Sequence, residues 1–156
     1  MKTNAARALD SLGIQYELLT YAVDLDDLSA ISTAQKLGMP ADQVFKTLVV
    51  KGDRQGVALA VIPGSYQLDL KALAQLSGDR KVETVPLKEV RSLTGYIRGG
   101  VTALACKKPY PVFLDEWAEV YEQIAVSAGM RGHMIKLAVA DYIAATSACI
   151  GAIATS

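Results

Sequence analysis

The sequence predicts a mixed α/β (α+β) fold: a single domain over residues 1–156, with a curved, barrel-like mixed β-sheet surrounded by helices. Three observations lead there. The chain has 156 residues, 51% of them hydrophobic and 21% charged, and a domain near this size buries roughly two-thirds of its unfolded surface without disulfide or metal staples. Two β-branched apolar runs, 44–50 and 56–62, flank a short polar turn, the pattern of an antiparallel hairpin at the centre of the fold. The remaining strand and helix signals follow one another without regular alternation, which argues against a regular βαβ sandwich.

In chain order, Ala5, Ala6, Leu9 and Leu12 carry helical spacing over residues 3–12, and Gly13 stands where a helix ends. Residues 14–21 alternate as a strand with one wet face. Asp24-Leu25-Asp26-Asp27 reads as an acidic loop, and Ser29 or Ser32 caps a helix over 30–37 that Gly38 terminates. After the hairpin, Pro63-Gly64 breaks the chain, 68–76 is helical and Gly78 ends it, 81–85 is a short strand, and Pro86 opens another helix. Residues 94–101 hold Gly95, Gly99 and Gly100, a tight loop in which the glycines supply turn geometry or let the backbone approach a ligand. Strands are expected at 111–114, 123–126 and 135–139, with a glycine-punctuated turn over 127–133. A helix over 141–147 and a final strand over 148–154 complete the chain.

Sixteen Lys and Arg balance sixteen Asp and Glu. A neutral protein is not coated in positive charge, which argues against a histone-like binder of nucleic acid. Cys106 and Cys149 form no CxxC pair and stand in apolar company, so two small buried thiols are expected. With only His133 besides them, Cys and His cannot supply a four-ligand zinc site, and neither a metal nor a cofactor is expected. Lys2 and Arg7 fall where a signal peptide needs an apolar run, and the apolar stretch 142–156 is too short to span a bilayer. A cytoplasmic protein with no membrane partner is therefore expected. Walker A, GxGxxG and GxSxG motifs are absent, which leaves nucleotide hydrolysis, dinucleotide binding and a Ser127/His133 hydrolase without support. The acid pairs Asp26-Asp27 and Asp115-Glu116 read as solvated charges or helix caps, and Tyr16, Tyr66, Tyr110, Tyr121 and Tyr142 as packing residues, with Trp117 anchoring a helix.

Lys46 stands apart. Strand alternation puts Val44, Lys46, Leu48 and Val50 on one face and Phe45, Thr47 and Val49 on the other. A lysine on an apolar strand face either snorkels to water or points into a cavity that holds an anion or a polarised carbonyl, and both remain open.

Several runs, taken together, carry a resemblance: Gly38-Met39-Pro40-Ala41-Asp42-Gln43-Val44-Phe45-Lys46-Thr47-Leu48-Val49-Val50; Ala58 to Pro63; Gln67-Leu68-Asp69-Leu70-Lys71; Thr94-Gly95-Tyr96-Ile97-Arg98-Gly99-Gly100; and Val126-Ser127-Ala128-Gly129-Met130-Arg131-Gly132. In this order and spacing the chain resembles the YbaK/EbsC family, free-standing relatives of the editing domain inserted in bacterial prolyl-tRNA synthetases, from about residue 5 to 153. The resemblance implies a mixed α/β domain and trans-editing, the hydrolysis of a wrongly attached amino acid from the 3′ end of tRNA, typically Cys-tRNA(Pro). It implies Lys46 as the catalytic residue and Tyr21, Tyr96, Ser127 and Gly129 as pocket residues. Thr47 beside the lysine, backbone N–H groups around Gly99 and Gly100, and His133 are further substrate-binding candidates. The implied partners are the aminoacyl-tRNA acceptor end and prolyl-tRNA synthetase in a transient ternary complex; no oligomeric state is implied.

An aminoacyl ester is already activated, so such a site needs a polarised carbonyl and a confined attacking group rather than a strong nucleophile of its own. For a cysteine ester the family chemistry is substrate-assisted, the thiol attacking its own carbonyl. The chain departs from the pattern at His133-Met134, where cysteine-editing relatives often carry an acid. That departure keeps three alternatives open: removal of another small amino acid such as Ala or Ser, a catalytically weakened tRNA- or nucleotide-binding module, and hydrolysis of a small free ester or amide. The neutral total also divides unevenly. Residues 9–45 hold one basic and six acidic residues, and residues 71–108 hold eight basic and three acidic.

Overall fold

Helix signals in the sequence translate into helices with identifiable ends. In this computed structural model, which describes residues 2–156, Thr3 caps α1 (Asn4–Ser11), accepting a hydrogen bond from Ala6 N, and Gly13 follows it with φ +70°. Ser29 caps α2 (Ala30–Leu37) through Ser32 N, and Gly38 closes it in the left-handed conformation. Asp69 caps α3 (Leu70–Ser77), Pro86 precedes α4 (Leu87–Thr94), and α5 spans Val139–Thr146.

The strands form two principal sheets. One is antiparallel, in the order β1 (Tyr16–Thr20), β8 (His133–Ala138), β7 (Gln123–Met130). The other is mixed, in the order β5 (Val82–Thr84), β2 (Phe45–Gly52), β3 (Gly56–Pro63), β6 (Val112–Asp115), β9 (Cys149–Gly151). Here β2 pairs antiparallel with both its neighbours, whereas β3–β6 and β6–β9 are parallel. A small antiparallel pair joins β4 (Gln67–Leu68) to β10 (Ala154–Thr155). Among the described residues the two sheets are joined by one isolated β-bridge, between Val44 and Ala125, where Ala125 N donates to Gln43 O at 3.1 Å. They do not close on each other, so the expected barrel is realised only as two curved sheets meeting at the start of β2.

Three local expectations are corrected. The turn expected over 127–133 shrinks to Arg131 and Gly132, because β7 runs on to Met130. The ladder absorbs the extra residues as a bulge, jumping from Ser127 opposite Met134 to Met130 opposite His133. The single final strand is two strands in different sheets, broken where Ile153 N and Ala154 N turn to the Asp115 carboxylate at 2.9 and 3.0 Å. Asp115 is accordingly buried, and it also caps the 3₁₀ turn Glu116–Val120 through Trp117 N. Cys149 is exposed, and only Cys106 is partly buried, because the short edge strand β9 leaves its first side chain in water.

Burial follows the alternation along β2. Phe45 and Val49 enter the main core with Leu59, Leu114, Ile135, Leu137 and the fully buried Tyr142. Leu48 and Val50 pack on the other side with Ile62, Leu73 and Phe113, against α3. Val44, Ala34, Ala125 and Met134 form a third, smaller cluster that seats α2 on the antiparallel sheet. Lys46 lies between these clusters, where the sheets diverge and neither covers it. No helix among the described residues is long and apolar enough to cross a membrane.

Candidate active site

The divergence of the sheets leaves a cavity of about 390 Å³. Its floor is the start of β2, including Lys46 and Thr47, and its walls bring in Tyr21 from the segment after β1 and Ser127 from the bulge of β7. The first turn of α2, at Ser29, Ala30 and Thr33, forms another side, and Arg98 and Gly99 stand over it from the loop after α4. Thus five of the nine residues picked from the sequence, Tyr21, Lys46, Thr47, Gly99 and Ser127, share one lining.

Lys46 is half-buried, and its Nζ donates to Gly64 O at 3.2 Å. The only ion pairs among the described residues are Lys2–Asp10 and Lys81–Glu83, so no carboxylate neutralises Lys46. Burial pushes its pKa below the ordinary lysine value, because a partly desolvated ammonium without a counter-ion is disfavoured. A cation held this way gains from any developing negative charge that enters the cavity. The first turn of α2, a helix eight residues long, lines the same space, and the positive end of the helix dipole adds to the field there.

Gly64 explains how the helix reaches the lysine. A Cβ there would meet Ala30 Cβ at 2.5 Å and Val44 O at 2.8 Å, so only glycine lets α2 approach the exit of β3 this closely. Gly64 N donates to Val44 O at 2.7 Å, leaving its own carbonyl for Lys46. Behind the floor, Thr47 Oγ1 and the Tyr142 hydroxyl are buried without hydrogen-bond partners among the described residues.

The other four candidates lie outside the lining. Tyr96 turns its hydroxyl to the carbonyls of Leu104 and Ala105, at 2.7 and 2.9 Å, and burial pushes it up to about 12. Its ring lies against Gly129, where φ is +92° and a Cβ would meet Tyr96 Cε1 at 2.8 Å. Gly100 lies against the backbone of Met130 and Arg131, where a Cβ would be 3.3 Å from the nearest atoms. His133 begins β8 opposite Thr20, its Nδ1 3.2 Å from Arg131 O. Together they buttress the wall formed by the 94–100 loop and the β7–β8 tip. Sequence reasoning passed over Gly64, Arg98 and the first turn of α2 as lining. Ser29 was legible as a cap and Arg98 lies in a glycine-rich loop, but neither signal says what a helix end or a loop faces.

The chain belongs to the aminoacyl-tRNA editing domain family, which it matches over residues 28–145. Over 137 residues it is 47% identical to a protein of Enterococcus faecalis named, by inference, Cys-tRNA(Pro)/Cys-tRNA(Cys) deacylase EbsC, covering 88% of this chain and 84% of that one. It is 30% identical over 110 residues to an Escherichia coli protein named multifunctional Ser/Thr-tRNA deacylase ProXp-y, covering 68% and 66%. A crystal structure described as an inferred trans-editing enzyme for prolyl-tRNA synthetase superposes over 100% of this chain and 99% of its own, with a TM-score of 0.83 and 26% identity.

Proposed function

We propose that this protein is a trans-acting deacylase that removes cysteine from Cys-tRNA(Pro), with Lys46 as its catalytic residue. The observation that carries the reading is a half-buried lysine without a counter-carboxylate in a cavity of about 390 Å³, in a chain of the editing-domain family. The cavity suits an aminoacyl group with part of a terminal nucleoside, and it offers no strong base of its own. Lys46 polarises the ester carbonyl and stabilises the oxyanion, while Ser127 and Tyr21 bound the amino-acid side chain. The substrate thiol, confined beside its own carbonyl, attacks it. The C–O bond to the 3′ oxygen breaks, that oxygen takes up the proton the thiol gives up, and water opens the resulting thiolactone to free cysteine.

Met134 lines the cavity and is 5% exposed, which gives the site an apolar surface where an acid would have bound a substrate amino group. The acid that cysteine-editing relatives often carry is thus missing here, and the cysteine reading is supported instead by the 47% identity to EbsC and by a cavity sized for a small residue such as cysteine. A synthetase cannot exclude such a residue by packing alone, because one methylene is worth only about 1–3 kcal/mol, and a second sieve is useful. Transient association with prolyl-tRNA synthetase would deliver the substrate before it reaches the ribosome.

The test is hydrolysis of labelled Cys-, Ala-, Ser-, Thr- and Pro-tRNA by the wild type and Lys46→Ala. Cys-tRNA(Pro) is expected to turn over fastest, and Lys46→Ala to lose roughly 10²–10³-fold, the usual cost of removing an oxyanion donor. Cleavage of no ester above its spontaneous rate ends the enzyme reading, and a fully active Lys46→Ala ends the site assignment.

A further inference from the structure

The mouth of the cavity is electrically lopsided. On one rim Arg98 is exposed and lines the opening, and Arg131, at the β7–β8 tip, donates Nε to the Arg98 carbonyl at 2.8 Å. The Arg131 stem packs on Gly99, with Cγ and Nε 3.3 and 3.4 Å from where a Cβ would stand. The two guanidinium groups are thus carried by mutually braced loops, and neither makes an ion pair among the described residues. Beside them Ile97 and Met130 are exposed. The segment Asp24 to Asp27 leads into the lining residues Leu28 and Ser29, and Val23 just before it lies against the β7–β8 tip, its Cγ2 3.0 Å from where a Cβ on Gly132 would stand. The Asp24 carboxylate accepts from Asp26 N and that of Asp27 from Ser29 N, so this loop is an ordered acidic ridge. At its other end Leu28 Cδ2 comes within 3.5 Å of the Gly99 Cβ position, so the acidic segment runs beside the arginine rim.

From this we infer that Arg98 and Arg131 form a phosphate clamp for the single-stranded 3′ end of the RNA, and that the strand leaves the cavity over their rim, turned away from Asp24–Asp27. The inference rests on the proposed function for which RNA end is bound. Guanidinium forks match phosphodiester oxygens, and the exposed aliphatic side chains beside them offer surface to unstacked bases. The acidic ridge flanking the arginines repels the same backbone, so the strand leaves over the side of the arginine rim that faces away from it. Two such contacts give a modest grip, in keeping with a chain of zero net charge.

Binding of a fluorescent single-stranded RNA ending in CCA, followed by anisotropy across a salt series, tests the clamp without requiring catalysis. Arg98→Gln and Arg131→Gln are each expected to weaken binding about tenfold at low salt and to flatten the slope of log K against log salt by about 0.7. Asp26→Asn, which removes one charge from the ridge, is expected to tighten binding about twofold. Wild-type slopes in both arginine variants overturn the clamp, as does a wild type that does not bind the RNA; weaker binding by Asp26→Asn overturns the exit direction. Turnover separates this from the deacylase reading. If the arginine variants show the flattened slope while the wild type cleaves no aminoacyl-tRNA, the clamp stands and the enzyme reading falls. If the wild type cleaves and the arginine variants bind as it does, the reverse holds.

Discussion

A methyl group at Gly129 has nowhere to go: it would stand 2.8 Å from Tyr96 Cε1 on backbone whose φ of +92° suits glycine. Gly129→Ala is therefore expected to cost about 1–3 kcal/mol and to displace the ring that braces the cavity wall, lowering turnover as well as stability. Chemical denaturation and deacylation assays check both, and a variant with wild-type stability would show that the wall is softer than argued. The two cysteines differ in a way their sequence surroundings hid. Cys149 is exposed, whereas Cys106 donates to Thr102 O at 3.1 Å and burial pushes its thiol up to about 11. At pH 8 roughly one thousandth of Cys106 is thiolate, so a thiol reagent should modify Cys149 rapidly and leave Cys106 until the protein unfolds. Equal rates for the two thiols would contradict the burial. Both residues looked alike because apolar neighbours in sequence do not say whether a strand lies at the edge of its sheet.

At the scale of elements, α2 carries much of the site, and Gly64 decides where it sits. Gly64→Ala puts a methyl group 2.5 Å from Ala30 Cβ and 2.8 Å from Val44 O, which drives the helix N-terminus off the exit of β3. A loss of about 1–3 kcal/mol is expected, together with a fall in turnover, because Lys46 hydrogen-bonds to the same residue. Thermal melts and Cys-tRNA(Pro) hydrolysis measure the two effects; a variant as active as the wild type would detach α2 from function. The helices and the central hairpin were legible in the sequence because caps, left-handed glycines and period-two burial are local signals: Ser29, Gly38 and Gly78 stand where they were expected. The continuation of β7 through Ser127 to Met130 was not legible, since Gly129 and Gly132 read as a turn while a bulge against β8 holds the strand together. The splitting of β9 from β10 was hidden for the same reason, as it depends on a buried carboxylate, Asp115, from a strand far away in sequence. At the site, Lys46 announced itself by breaking an apolar strand face, while Gly64 and the first turn of α2 became part of the lining only through tertiary approach.

Over the whole molecule, several acidic groups keep their protons longer in the folded chain than out of it. Tyr96 and Tyr121 are pushed up to about 12 and Cys106 to about 11, and the fully buried Tyr142 is raised as well, burial being the first cause in each case. In an unfolded chain tyrosines ionise near 10 and cysteines near 8.5. Below about pH 8 both states hold these protons and stability has no slope from them. Above that the unfolded chain loses protons that the native state retains, so stability falls with rising pH by at most about 1.4 kcal/mol per unit for each such proton, and by less for the partly exposed Tyr96 and Tyr121, until the folded values are passed. The groups lie just after the 3₁₀ turn, in α5 and in the loop after α4, so the loss is shared by the whole domain rather than confined to one end. Urea unfolding is expected to give a level stability near neutral pH and a steep decline between about pH 10 and 12. Tyr121→Phe tests the count: it loses the 2.7 Å hydrogen bond to Asp42, lowering the plateau by about 1 kcal/mol, and removes one proton's worth of slope above pH 10. An alkaline slope as steep as the wild type's in that variant would show that Tyr121 ionises equally in both states, and a wild type whose stability stays level to pH 11 would remove the argument for all four groups.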